Sequence, residues 1–198
     1  RNYKKWWKVL IIWSRIKKNI ILFTEDYYLI IMGGMTDKES KFHWHRGRRV
    51  IIFTLIGILL NLLGAQIVIE FNLPLYLDSV GSILVAVVSG YIPGIIVGIL
   101  TNLIKGLTTD ESAIYFGTLN VMIAFMASYF SKKGWLVKPI GGVSFILIAA
   151  SIGGGLGSIL NFVLGYSEYP TILQALPNDF LFDLVDKTVT TIIVIIII

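Results

Sequence analysis

The chain has 198 residues, of which 56% are hydrophobic and 15% are charged, and its mean hydropathy is +0.80. A soluble globular domain contains about 45–50% apolar residues, so this excess argues against a water-soluble fold. Twelve of the seventeen Lys and Arg residues precede Val50. Because the basic residues are concentrated in this first part of the chain, their distribution is typical of a membrane protein and not of one that binds nucleic acid.

Apolar stretches separated by turn residues predict an all-α integral membrane protein with about six transmembrane helices, since a span needs about 20 mostly apolar residues. The first span divides a basic aromatic N-terminal segment, residues 1–49, from a transmembrane domain, residues 50–198. We expect the spans at Val50–Ile69, Leu75–Val88, Pro93–Leu107, Ala113–Phe130, Ile140–Leu164 and, after a loop over Gly165–Pro177, within Phe180–Ile198.

The flanking charges predict the orientation of these spans, because positively charged loops stay in the cytoplasm. With six spans, the basic N-terminal region falls on the same side as the loop that carries Lys132, Lys133 and Lys138. We therefore expect both termini in the cytoplasm. The acidic residues Glu70, Asp110, Glu111 and Glu168 then fall outside.

The first 34 residues mix tryptophans with Lys and Arg, a composition typical of a helix in the headgroup region of a membrane. Two alternatives stay open for this segment. It could be an extension without a role, with the natural start at Met35, or it could add a seventh span.

Polar side chains within the predicted spans are informative, because a charge at the centre of a membrane helix costs about 2.5–3.5 kcal/mol on insertion scales. Most of them lie toward the predicted outer ends, where they could line a cavity that opens outward. The candidate substrate-binding residues are Asp78, Asn102, Lys105, Asn120, Asn161 and Asp183. The alternative is structural, since asparagines also bond between helices and Asp183 with Lys187 could be a simple ion pair.

Glycines recur at spacings that let helix backbones approach closely. The candidate helix-packing glycines are Gly57, Gly94, Gly98, Gly153 and Gly157. The run Gly153–Gly157 could also loosen its helix, since glycine lowers helix propensity by about 1 kcal/mol relative to alanine. It lacks the G-x-G-x-x-G spacing of a nucleotide-binding loop.

Signatures of catalysis are missing from the sequence. It contains no H-E-x-x-H or G-x-S-x-G motif. The histidines on either side of Trp44 lack a partner carboxylate, which makes a weak metal site. We therefore expect no enzymatic activity, no bound metal and no cofactor.

Three motifs resemble the substrate-binding S components of energy-coupling factor (ECF) vitamin transporters. They are Leu73–Gly81 (LPLYLDSVG), Ser89–Gly94 (SGYIPG) and Gly98-x-x-x-Asn102, and the similarity spans residues 50–198. In that family a Pro-containing loop leads into the second helix, a Gly/Pro turn joins helices 2 and 3, and the last helix often carries an Asp-Lys pair like Asp186-Lys187. The family's Ala-x-x-x-Ala pattern in helix 1, which docks on the scaffold subunit, is replaced here by Gly57-x-x-x-Asn61.

The resemblance implies a six-helix S-component-like bundle in the bacterial cytoplasmic membrane that captures a vitamin or related small polar molecule from outside. Transport would then require an ECF scaffold subunit and two cytoplasmic ATPases as partners. The chain stops within an apolar run, so a cytoplasmic domain could follow. The alternative is therefore an S-component-like sensor module of a signalling protein.

Overall fold

A computed structural model describes residues 39–198, with side chains from Arg48 onward. The segment predicted to lie in the headgroup region, before Met35, is outside the described residues. All regular structure from Glu39 onward is helical. In chain order the elements are α1 (Glu39–Glu70), α2 (Val80–Ser89), α3 (Tyr91–Thr108), α4 (Ala113–Lys132), α5 (Pro139–Ala150), a π-helical segment (Ser151–Leu156), α6 (Gly157–Leu164) and α7 (Ile172–Ile197).

Four helical stretches among the described residues are long and apolar enough to cross a membrane. They are Arg48–Glu70, Tyr91–Thr108, Ala113–Lys132 and the continuous stretch Pro139–Leu164. The protein is therefore a multi-pass membrane protein, and its described part is all-helical. α2 has ten residues, hence a length of about 15 Å, which is half of a hydrocarbon core of about 30 Å. α7 has 26 residues but carries charged side chains in its middle.

Three helix boundaries differ from the sequence prediction. α1 begins at Glu39, well before Val50, so the predicted boundary between residues 49 and 50 lies inside a helix. α2 begins at Val80 and not at Leu75, because the residues before it form no regular secondary structure. The predicted loop over Gly165–Pro177 is too long, since α7 begins at Ile172 and Pro177 lies in its second turn.

The buried core is formed by apolar side chains of the helices that follow α1. Ile83 of α2, Ala124 of α4, Phe145 of α5 and Val194 of α7 are all fully buried. In contrast, α1 exposes large apolar side chains along most of its length, among them Leu55. Such a continuous apolar surface is rare on soluble monomers, and in a bilayer it faces lipid.

Close helix packing depends on glycine at the contact between α1 and α2. A Cβ atom on Gly81 would overlap the carbonyl oxygen of Gly57. A Cβ atom on Gly57 would lie 2.7 Å from Cγ2 of Val85. Gly57, predicted as a helix-packing residue, therefore faces α2, and any larger side chain at either position would push the two helices apart.

The other predicted packing glycines also lie against neighbouring helices. A Cβ atom on Gly94 would lie 2.8 Å from Cα of Ala86 in α2, and one on Gly98 would lie 2.8 Å from Cβ of Asn120 in α4. Gly157 approaches the ring of Phe116 at 3.2 Å by the same measure. Gly153 faces α7 and belongs to the candidate site below. Gly94 thus sets the spacing of α2 and α3, Gly98 that of α3 and α4, and Gly157 that of α4 and α6.

Asn61 is a completely buried polar residue that joins three helices. Its Oδ1 accepts a hydrogen bond of 2.6 Å from the backbone N–H of Gly81. Its Nδ2 lies 2.9 Å from Oγ of Ser82 and 3.3 Å from Oγ1 of Thr101. Because every polar atom of this amide is paired, Asn61 holds α1, α2 and α3 together without an unsatisfied group. It points into the bundle and not toward an external partner.

We expect Asn61→Leu to destabilise the protein, since it leaves the N–H of Gly81 without an acceptor in an apolar environment. The expected loss is about 1–3 kcal/mol of unfolding free energy, measured as a lower midpoint of thermal unfolding in detergent. Gln66→Leu is the control, because Gln66 lies on the same helix and is exposed. Equal midpoints for the two variants would contradict this role of Asn61.

Candidate functional site

A cavity of about 190 Å³ lies between α3, α4, α6 and α7, next to the connection from α1 to α2. It is smaller than the roughly 300–1,000 Å³ that is usual for drug-sized ligands, so it suits a small molecule. One wall is apolar and the remainder carries amides, hydroxyls and charges. The lining residues on which the following argument depends are Tyr76, Asp78, Asn102, Lys105, Asp110, Phe116, Leu119, Asn120, Ile123, Gly153, Ser158, Asn161, Asp179, Asp183 and Lys187.

The six residues selected from the sequence all line this one cavity. They come from five parts of the chain and are spread over more than one hundred positions. They are Asp78 before α2, Asn102 and Lys105 on α3, Asn120 on α4, Asn161 on α6 and Asp183 on α7. Their convergence follows from the cost of exposing polar groups to lipid, which drives such groups to the interior of a bundle.

Asp78 and Lys105 form an ion pair at one side of the cavity. Nζ of Lys105 lies 2.7 Å from Oδ2 of Asp78, and about one fifth of each side chain is exposed (19% and 20%). The opposite charges of Asp78 and Lys105 compensate each other in this pair.

A second cluster of charges is buried in the middle of α7. Nζ of Lys187 lies 2.9 Å from Oδ1 of Asp183 and 2.6 Å from Oδ2 of Asp186. The three side chains are at most 4% exposed. Nζ of Lys187 therefore donates to both carboxylates. Asp183 with Lys187 is more than the simple ion pair considered as an alternative, because Asp186 takes part as well.

Asp186 also forms hydrogen bonds with the irregular connection between α1 and α2. Its Oδ1 accepts hydrogen bonds from the backbone N–H groups of Tyr76, at 2.9 Å, and Leu77, at 2.7 Å. Leu77 has a φ of 48°, a left-handed conformation that is uncommon for a residue of this kind. Strained backbone of this type persists only where its surroundings fix it. The carbonyl of Leu77 lies against Gly64, where a Cβ atom would overlap it.

Tyr76 extends from this connection toward the acidic side chains of the cavity. Its side chain is 46% exposed and lines the cavity together with Asp78, Asp179 and Asp183. The phenol hydroxyl of Tyr76 can donate a hydrogen bond there.

Two buried polar atoms of the cavity lining have no hydrogen-bond partner among the described residues. They are Oδ2 of Asp183 and Oγ of Ser158. Asp183 is 3% exposed and Ser158 is 1% exposed. Buried polar atoms are normally paired, so these two atoms can hydrogen-bond to a ligand in the cavity.

The π-helical segment brings α7 close to this part of the cavity. A Cβ atom on Gly153 would overlap the carboxylate of Asp183, and one on Gly154 would lie 2.7 Å from Cα of Phe180. π-helical turns are rare and occur frequently at functional sites. Here the glycine run forms part of the irregular turn and also allows the close approach of α7. Both roles considered for this run, loosening its helix and close packing, therefore apply.

Sequence reasoning did not select Tyr76, Ser158, Asp179, Asp186 or the apolar wall as part of the site. Asp186 and Lys187 are recognisable in the sequence as a pair, and the spacing Asp183, Asp186, Lys187 places three charges within about one turn of an apolar helix. No local signal marks Tyr76, because its place depends on the hydrogen bond from its backbone to Asp186.

We expect Gly153→Ala to displace the Asp183 carboxylate and lower the thermal stability, by about 1–3 kcal/mol as for other overpacked sites. Gly155→Ala is the matched control, since a Cβ atom there meets nothing within 4 Å. Thermal unfolding of both variants in detergent measures the difference. A melting midpoint for Gly153→Ala at or above that of Gly155→Ala would show that the approach is not tight.

Comparison with protein-family models, with curated proteins and with solved structures gives no match for this chain.

Proposed function

We propose that this protein is a membrane-embedded substrate-binding subunit that captures a small polar molecule from outside, in the manner of the S component of an ECF-type transporter. The substrate class is a vitamin or a related small molecule. Transport would depend on an ECF scaffold subunit and two cytoplasmic ATPases. The protein itself would bind and present its substrate without catalysing a reaction.

The observation that carries this proposal is the convergence of polar groups on one cavity inside an apolar bundle. Asn102, Asn120 and Asn161 add amide groups to the charges of Asp78, Lys105 and Asp183. A ligand site is usually a concavity with apolar walls and a few polar groups that fix the orientation of the ligand. Such groups are costly within a membrane protein, and a binding role accounts for that cost.

The proposed orientation places the cavity at the outer side of a bacterial cytoplasmic membrane, with both termini inside. Asp110, on the connection from α3 to α4, lines the cavity. The lysine-rich connection after α4 lies at the far end of that helix, where Nζ of Lys132 is 5.4 Å from the centre of the Tyr91 ring. Lysines at this end favour a cytoplasmic location.

Six crossings are compatible with the short α2 if the irregular connection before it spans part of the membrane. Nonhelical backbone is tolerated at membrane depth where it is buried in protein or lines a cavity. The last part of the connection, from Tyr76 to Asp78, meets this condition, since Asp186 pairs two of its N–H groups and Tyr76 and Asp78 line the cavity. α7 would be the sixth crossing, with its charges shielded by the bundle.

Binding of a vitamin panel to the detergent-solubilised protein tests the proposed function. We expect a retained ligand, whose binding is weakened roughly tenfold or more in Asn102→Ala and in Lys105→Ala. The first change removes an amide from the cavity lining, and the second leaves Asp78 without its ion-pair partner. Asn178→Ala is the matched control, because Asn178 is exposed and bonds only to Gln174 of its own helix. If no compound is retained, or if the cavity variants bind as tightly as the control, the proposal fails.

Site-directed labelling tests the proposed orientation, and it is simple because the native chain contains no cysteine. We expect a membrane-impermeant maleimide to label Glu111→Cys in intact cells, since that residue lies on the proposed outer connection. Lys133→Cys should react only after the cells are permeabilised. The reverse pattern of labelling would overturn the orientation.

A further inference from the structure

The charges around the cavity are unbalanced. Four aspartates line it, Asp78, Asp110, Asp179 and Asp183, against the two lysines Lys105 and Lys187. Both lysines already donate to carboxylates, Lys105 to Asp78 and Lys187 to Asp183 and Asp186. The lining therefore lacks an uncommitted positive charge for an anionic ligand and retains negative charge that the protein leaves uncompensated.

Oδ2 of Asp183 is the buried carboxylate oxygen of the lining that has no hydrogen-bond partner among the described residues. Asp186 is fully compensated, because one oxygen accepts from Lys187 and the other accepts two backbone N–H groups. Asp183 shares the same lysine through Oδ1, but its Oδ2 is buried and unpaired. The other unpaired buried atoms of the described side chains are hydroxyl oxygens, which can turn toward a helix carbonyl. A carboxylate oxygen only accepts hydrogen bonds, and none of the described residues donates one to this oxygen, so a ligand can supply the donor.

The wall formed by α4 indicates that the matching donor belongs to an organic molecule. Phe116, Leu119 and Ile123 lie on one face of α4 and line the cavity. A metal ion such as Ca²⁺ would need about six or more oxygen ligands, whereas Asp183 offers one free carboxylate oxygen. A protonated amine needs fewer acceptors, and the apolar part of such a molecule would pack against the α4 wall.

We propose that the ligand of this cavity is a small organic cation whose protonated amine pairs with Oδ2 of Asp183 and whose apolar part lies against Phe116, Leu119 and Ile123. This inference rests on the proposed capture function and assigns the chemical class of the captured molecule. Ser158, with its unpaired Oγ, and Asn120 provide further hydrogen-bonding groups. Asp110, which is exposed, and Asp179, which is half-buried, attract cations toward the cavity.

Three compounds of nearly equal shape and different charge test the assignment at pH 7: benzylamine, benzyl alcohol and benzoate. Their binding to the purified full chain in detergent is measured by titration calorimetry. We expect benzylamine to bind at least about tenfold more tightly than the other two, because only the cation can pair with Asp183. Asp183→Asn should weaken benzylamine binding by roughly 30-fold and leave benzyl alcohol binding unchanged.

Two further variants control for charge and folding. Glu111→Gln removes the same charge from an exposed residue outside the cavity lining, and its benzylamine affinity should match that of the wild type. Asp183→Glu keeps the carboxylate and should retain the preference for the cation. If Asp183→Asn does not fold, the order of the three compounds on the wild-type protein still decides the question.

The outcomes separate this inference from the proposed function. If benzyl alcohol or benzoate binds as well as benzylamine, or if the vitamin panel yields only neutral or anionic ligands, the assignment of a cation is wrong while capture stands. If no compound of either set binds, both proposals are overturned. A preference for benzylamine that persists in Asp183→Asn would also overturn the role of Asp183.

Discussion

The carboxylate of Asp186 is the constraint on which the candidate site depends. It is fully buried, it accepts from Lys187 on its own helix, and it accepts two backbone N–H groups of the connection between α1 and α2. Without this acceptor, two peptide groups would be unpaired in an apolar environment. The connection in turn carries Asp78, which pairs with Lys105. A continuous series of polar contacts therefore links α7 to α3 across the cavity.

Close packing and polar pairing serve different purposes in this bundle. Glycines let α1 approach α2, and Asn61 fixes their register with hydrogen bonds that leave none of its polar atoms free. The π-helical segment lets α7 approach α6 in a similar way, but there the carboxylate of Asp183 keeps an unpaired oxygen. Helices 1 to 3 are thus held by completed interactions, whereas the contact around Asp183 is incomplete until a donor is supplied.

An incomplete contact of this kind is costly where the surroundings exclude water. A buried charge is stabilised by a partner, and removing a partner from a buried pair costs about 3–5 kcal/mol. Asp183 pairs with Lys187 through Oδ1, whereas its Oδ2 has no partner among the described residues. The proposed cationic ligand would pair with Oδ2, which gives a physical reason for both affinity and selection by charge.

Which parts of the chain are helical and apolar was predictable from the sequence, because the length and composition of an apolar run are local properties. The six candidate residues were also predictable as a set, since polar groups in such runs must turn away from lipid. What only the tertiary structure decided is how these groups pair. Asp186 meets the N–H of Tyr76 from 110 positions away, and Gly153 meets Asp183 through an irregular helical turn. The sequence by itself determined a polar interior, whereas the free oxygen of Asp183 follows from the three-dimensional approach of distant segments, which no local pattern encodes.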